Sequence, residues 1–144
     1  MINFTPEELL PHRGNMLLVN KLEHLDFENA TGTALAYLDE GSIFYDSSLG
    51  GIIPEISIEI MAQGIGLLTC ARERMAGLPP MECAKLISIK GYEVYCDALP
   101  AGVLMRAVGK ITLEASPICA CECELYRTDT NELLAKAEVT AYKP

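Results

Sequence analysis

Between positions 85 and 142 the chain alternates apolar and polar residues in four runs, 85–95, 103–113, 118–127 and 133–142. A period of two places successive side chains on opposite faces of a strand, so each run predicts a strand with one face buried. Asp97-Ala98-Leu99-Pro100-Ala101-Gly102, Ser116-Pro117 and Asp129-Thr130-Asn131 break the runs with turn-forming residues. Short breaks predict that these four strands form one antiparallel meander. Two further strands are expected at 16–26 and 30–39, joined by a turn at Phe27-Glu28-Asn29, because Thr31, Thr33, Leu35 and Tyr37 favour extended backbone. A loop rich in Gly, Ser and Asp then covers 40–51.

The helical signals differ from these. Positions 54–76 predict one long helix, ended by Gly77 and the Pro79–Pro80 pair. Its first turns are apolar almost all round, through Ile56, Ile58, Ile60, Met61, Ala62, Ile65, Leu67 and Leu68. A helix without a polar face has to be wrapped by other structure. Only Arg72-Glu73-Arg74 return it to solvent. A short helix at 5–10 is announced by Thr5 as N-cap, Pro6 at the first position and Glu8 as the return half of a capping box. Two strands, one wrapped helix and a run of strands make an α+β domain, one antiparallel sheet around one central helix, spanning 1–144. A sheet covered on one face only predicts a homodimer or higher homo-oligomer.

Composition narrows the function. Of 144 residues, 50% are hydrophobic and 22% charged, which excludes a disordered chain. The most apolar stretch, 52–70, is interrupted by Glu55, Glu59 and Gln63, so no membrane span is expected. The opening residues, 1–8, lack the basic-then-apolar pattern of a signal peptide, and a cytoplasmic location is the expectation. A net charge of −9 with no basic run excludes nucleic acid as a partner. Cys70, Cys83, Cys96, Cys119, Cys121 and Cys123 then read as reduced thiols. Cys119, Cys121 and Cys123 share one strand face as small core residues, with Glu122 and Glu124 facing out, and no metal site is expected. No phosphate-binding glycine loop and no Gly-x-Ser-x-Gly elbow is present.

Leu9-Leu10-Pro11-His12-Arg13, followed by Met16-Leu17-Leu18-Val19-Asn20, resembles the opening of the hotdog-fold 3-hydroxyacyl-[acyl-carrier-protein] dehydratases. Pro54 and Ile58-Glu59-Ile60-Met61-Ala62-Gln63 are similar to that family's central-helix pattern, Glu followed by Ala-Gln. Leu99-Pro100-Ala101-Gly102 before a strand is a third, looser likeness. The chain departs from the typical family before the helix. There the family carries its catalytic histidine in Gly-His-Phe-Pro-Gly, whereas this chain has Phe44-Tyr45-Asp46-Ser47-Ser48-Leu49-Gly50-Gly51. The pattern resembles a divergent branch, that of the aryl-polyene-type dehydratases, and only Glu59 carries over residue by residue.

The resemblance implies a hotdog fold, a cofactor-free dehydratase and a 3-hydroxyacyl thioester substrate on an acyl carrier protein or coenzyme A. Eliminating water needs a base for the C2 proton, an acid for the C3 hydroxyl and a dipole facing the thioester oxygen. Glu59 is the candidate acid, because burial on the apolar helix favours the protonated, proton-donating form. His12 is the candidate base; the other histidine, His24, lies mid-strand. Asp46, which falls at the family's histidine position, is the rival base or else a turn cap. Gly50 and Gly51 either offer backbone N–H groups at the helix start or only permit a tight turn. Gln63, four residues beyond Glu59, is expected to orient it or a substrate hydroxyl. An acidic chain that docks an acidic carrier needs a local basic patch, with Arg72, Arg74, Lys85 and Lys90 as candidates. Two alternatives stay open, an acyl-thioester hydrolase and a non-catalytic acyl-binding subunit.

Overall fold

The computed structural model describes residues 4–78 and 85–142. Residues 1–3, Pro79–Pro80 and Cys83, all used above, lie outside the described residues. The short helix α1, Pro6–Leu9, has the complete capping box: the Thr5 hydroxyl accepts from the Glu8 N–H and the Glu8 carboxylate accepts from the Thr5 N–H. Gly14, at φ +59°, then turns the chain into a 3-10 turn, Gly14–Met16. The first strand therefore begins three residues later than expected, as β1 Val19–Asp26, and pairs with β2 Thr31–Leu38. The expected loop holds a small hairpin, β3 Tyr45–Asp46 and β4 Gly51–Ile52.

Helix α2, Ile56–Met75, ends as its sequence predicts. Gly77 is left-handed at φ +80°, the Leu78 N–H donates to the Glu73 carbonyl at 2.9 Å, and the Gly77 N–H donates to that of Arg74 at 3.0 Å. Strands β5 Lys85–Val94, β6 Val103–Ala115, β7 Ile118–Arg127 and β8 Leu133–Tyr142 follow. All six long strands join one antiparallel sheet in the order β1-β2-β6-β7-β8-β5.

That order corrects the four-strand meander. Only β6, β7 and β8 run as a meander, while β5 pairs with β8 at the far edge and β6 pairs with β2. The break at 95–102 is a crossing rather than a tight turn. Its Leu99 is fully buried and exchanges backbone hydrogen bonds with Ile52, both at 2.9 Å. Alternation marks each strand but is blind to which neighbour it takes.

The sheet wraps α2 closely because the facing residues are small. A Cβ on Gly64 would stand 3.1 Å from that of Ala107, and one on Gly32 would stand 2.9 Å from Leu68 Cδ1. Around this contact Ala36, Ile60, Met61, Leu67, Met105 and Leu125 are fully buried. Cys119, Cys121 and Cys123 face this core, and burial pushes the Cys123 thiol up to about 12, so it stays protonated.

Gly51 allows the hairpin and the crossing to meet, since a Cβ there would lie 2.5 Å from the Leu99 carbonyl oxygen. Gly51→Ala is expected to cost about 1–3 kcal/mol, as overpacking does, seen as a lower denaturant midpoint at constant slope.

Candidate active site

The segment after α1 carries His12 and is tied down on both sides. The Arg13 guanidinium donates to three carbonyls, Leu10 at 2.6 Å, His12 at 2.7 Å and Glu7 at 2.8 Å. Arg74, in the last turn of α2, donates to the Glu8 carbonyl at 2.7 Å. Leu10, 4% exposed, is packed into the core. Together these contacts fold the segment back over the helix. They close the C-terminal carbonyls of a four-residue helix too short to hold itself.

On α2, Glu59 and Gln63 stand one turn apart on the same face. Gln63 is 1% exposed, and all its polar atoms are engaged. Its oxygen accepts from the Leu18 N–H at 2.8 Å, and its nitrogen donates to the Met16 carbonyl at 2.7 Å and to Glu59 Oε1 at 3.0 Å. His12 Nε2 lies 3.5 Å from the same Glu59 oxygen. The other ring nitrogen, Nδ1, is buried and meets no hydrogen-bond partner, so the ring's polar contact is through the nitrogen that faces Glu59.

Both residues stand at one end of a cavity of about 210 Å³ between α2 and the β7-β8-β5 side of the sheet. Its walls are apolar, with Leu10, Ile65, Leu86 and Val139 among them, and Lys85 adds a cation. The helix lines it with Glu59, Ala62, Gln63, Gly66 and Thr69, one face over about 15 Å at 1.5 Å per residue. An acid–base pair at one end of an apolar slot suits an acyl chain with its reacting carbons beside the pair.

Several expectations change here. Glu59 is not deeply buried: its side chain is 35% exposed and that of His12 is 32%, so solvent and substrate reach both. The sheet reaches the first turn of the helix through Tyr92 on β5, whose hydroxyl lies 2.6 Å from that of Ser57, while Glu59, on the same turn, meets the His12 segment. Asp46 does not line the cavity. Its carboxylate accepts from the Ser48 hydroxyl at 2.5 Å and from the Ser48 N–H at 2.8 Å, and these bonds hold it below the usual carboxylate range. A carboxylate so engaged caps a turn and is a poor base. Gly50 and Gly51 belong to the β3–β4 hairpin, before the start of α2, and do not line the cavity either. Gly50, at φ +67°, makes the tight turn.

The basic patch also thins out. Arg72 pairs with Glu114 at 2.7 Å and Arg74 is held by Glu8, which leaves Lys85 at the cavity and Lys90 on β5. His24 is exposed on β1. No group of three metal-ligating side chains occurs among the described residues, and no helix there is long and apolar enough to cross a membrane. Arg13, which braces the His12 segment, is the residue of the site that sequence reasoning missed. Its position beside His12 was visible, but not the three carbonyls that converge on it.

A model of the ApeP-like family, described as ApeP dehydratase, matches residues 4–144. The chain belongs to this family. As an ApeP-like dehydratase it is a lyase, with the hotdog fold expected of it. The dehydratase heterocomplex ApeI:P from Xenorhabdus doucetiae superposes with a TM-score of 0.88 at 17% identity, over 99% of this chain and 92% of that one. A thioesterase related to phenylacetic acid degradation from Ralstonia eutropha gives 0.65 at 16% identity, over 85% and 83%. A Streptococcus pneumoniae thioesterase solved with coenzyme A gives 0.64 at 10% identity, over 86% and 84%. At these identities the structural matches establish the fold. No curated protein sequence matches the chain.

Gln63→Leu would leave the Leu18 N–H and the Met16 carbonyl unpaired and release Glu59. A stability loss of about 1–3 kcal/mol is expected, together with reduced turnover, read by denaturant unfolding and by an activity assay on the folded variant.

Proposed function

We propose that this ApeP-like dehydratase eliminates water from a 3-hydroxyacyl thioester carried by an acyl carrier protein or coenzyme A, giving the trans-2-enoyl thioester. The observation that carries this reading is the 3.5 Å approach of His12 Nε2 to Glu59 at the end of an apolar cavity. His12 Nε2 takes the C2 proton. The C3–O bond breaks as the Glu59 carboxyl gives its proton to the departing hydroxyl, and a C2–C3 double bond and water result. His12 then holds the C2 proton, and passing it across the gap to Glu59 restores both groups. The sequence is redox-neutral and calls on no cofactor. Gln63, bonded to the same oxygen, fixes which way the carboxyl points.

In this reading residues 1–144 act as one hotdog domain in the cytoplasm. The absence of a disulfide at Cys96 and Cys123 suits that setting. The domain assembles through β5, which pairs only with β8 among the described strands and exposes Leu86, Ile87 and Ile89. An apolar, unpaired edge strand is a template for another chain. Lys85 and Leu86 line the cavity from this edge, so an added chain would finish its open side. A second copy of this chain is the expected occupant. The ApeI:P heterocomplex favours a different hotdog chain as the alternative.

The test follows enoyl absorbance and free thiol together, for the purified assembly supplied with 3-hydroxyacyl thioesters of several lengths. Enoyl product without thiol release is expected, reduced at least about 100-fold in Glu59→Gln. Asp46→Asn is expected to keep wild-type turnover, because Asp46 stands outside the cavity. Thiol release would make the protein a hydrolase instead. Neither signal, with a second hotdog chain found in the native assembly by mass, would make it a binding subunit.

A further inference from the structure

Gly66 is the one glycine on the cavity-lining face of α2, and a Cβ there would stand 2.8 Å from Leu10 Cδ2, against the 3.4 Å at which ordinary contact begins. Leu10 therefore sits in a notch that only glycine leaves open. It lies two residues before His12, in the segment that Arg13 braces internally and Arg74 ties to the helix. Those hydrogen bonds hold the segment to carbonyls along its length, whereas the notch sets how far the segment approaches α2. Glycine costs stability inside a helix, so its place seven residues after Glu59, two turns along the same face, calls for a reason beyond helix formation.

We infer that Gly66 is a positioning residue for the reaction, its missing side chain seating Leu10 so that His12 comes within proton-transfer reach of Glu59. The inference rests on the proposed roles of His12 and Glu59. Adding one carbon at position 66 pushes Leu10 outward, and with it His12, lengthening the 3.5 Å approach. Leu10 is 4% exposed and packed into the core on the side away from the cavity, so part of the shift passes to the segment that carries His12.

The experiment compares Gly66→Ala, Leu10→Val and the double variant in the intact assembly, by kcat and KM and by the imidazole NMR signals. His24, exposed on β1, serves as the internal reference. Gly66→Ala is expected to lower kcat roughly 10- to 100-fold, as sub-ångström to 1 Å misplacements do, with a smaller change in KM. Its unfolding midpoint is expected to move little, because the helix preference of alanine offsets part of the strain of displacing Leu10. Leu10→Val, which shortens the side chain that fills the notch, restores kcat in the double variant. The His12 signals shift in Gly66→Ala and return in the double variant. Wild-type kcat in Gly66→Ala, or a loss that Leu10→Val leaves unchanged, overturns the inference. If Gly66→Ala alone does not fold, the double variant must fold and turn over, and its failure overturns it too. Should the wild type prove inactive as a dehydratase, the reaction falls while the His12 shifts still decide whether the notch sets that residue's position.

Discussion

A primary amide that is 1% exposed has to find its partners inside the protein, because an unmatched polar atom there costs more than most contacts return. Gln63 finds them in two different parts of the chain. Its oxygen and nitrogen bridge Leu18 and Met16, at the entry to the first strand, while the same nitrogen reaches Glu59 on its own helix. One side chain thus fixes how the central helix is turned relative to the sheet and where its carboxylate points. The arrangement of the site depends on this clamp. The chain that follows the His12 segment is pinned to the same amide that holds Glu59.

The close approach of helix and sheet has the same consequence on a larger scale. Glycine and alanine at the contact, Gly64 over Ala107 and Gly32 under Leu68, draw α2 into the hollow of the sheet. The cavity lies to one side of that contact, toward β8 and β5. Apolar walls in such a place would exclude water from an acyl chain, and His12 and Glu59 stand at the end where solvent can still enter.

Much of this was legible in the sequence. Period-two alternation located the strands because most of them bury one face, and it marked β5 as well, although no residue of β5 is fully buried; the all-round apolar helix told of its wrapping. Glu59, Gln63 and His12 were singled out, and the structure brings them together. What alternation cannot carry is strand order, so β5 was placed in the meander instead of at the edge, where Leu99 and Ile52 take the chain across. Asp46 was placed by alignment to a loop, yet its geometry is set by Ser48 two residues on. Gly50 and Gly51 stayed open between N–H donors ahead of the helix and a tight turn, because the two-residue strands β3 and β4 are too short to show a period. The depth of Glu59 was overestimated because the sequence does not say which side of a wrapped helix is left open. The three carbonyls around Arg13 come from chain folding and leave no mark in the pattern.

The central claim is that His12 and Glu59 act as one proton-exchanging pair. Groups that act as a unit are strongly non-additive when removed, whereas independent groups add in free energy. The direct measurement is a double-mutant cycle in kcat/KM for water elimination, with His12→Ala, Glu59→Gln and both together. The account predicts that the double variant is about as slow as the slower single one. Losses that multiply would contradict it, showing two residues that work without each other.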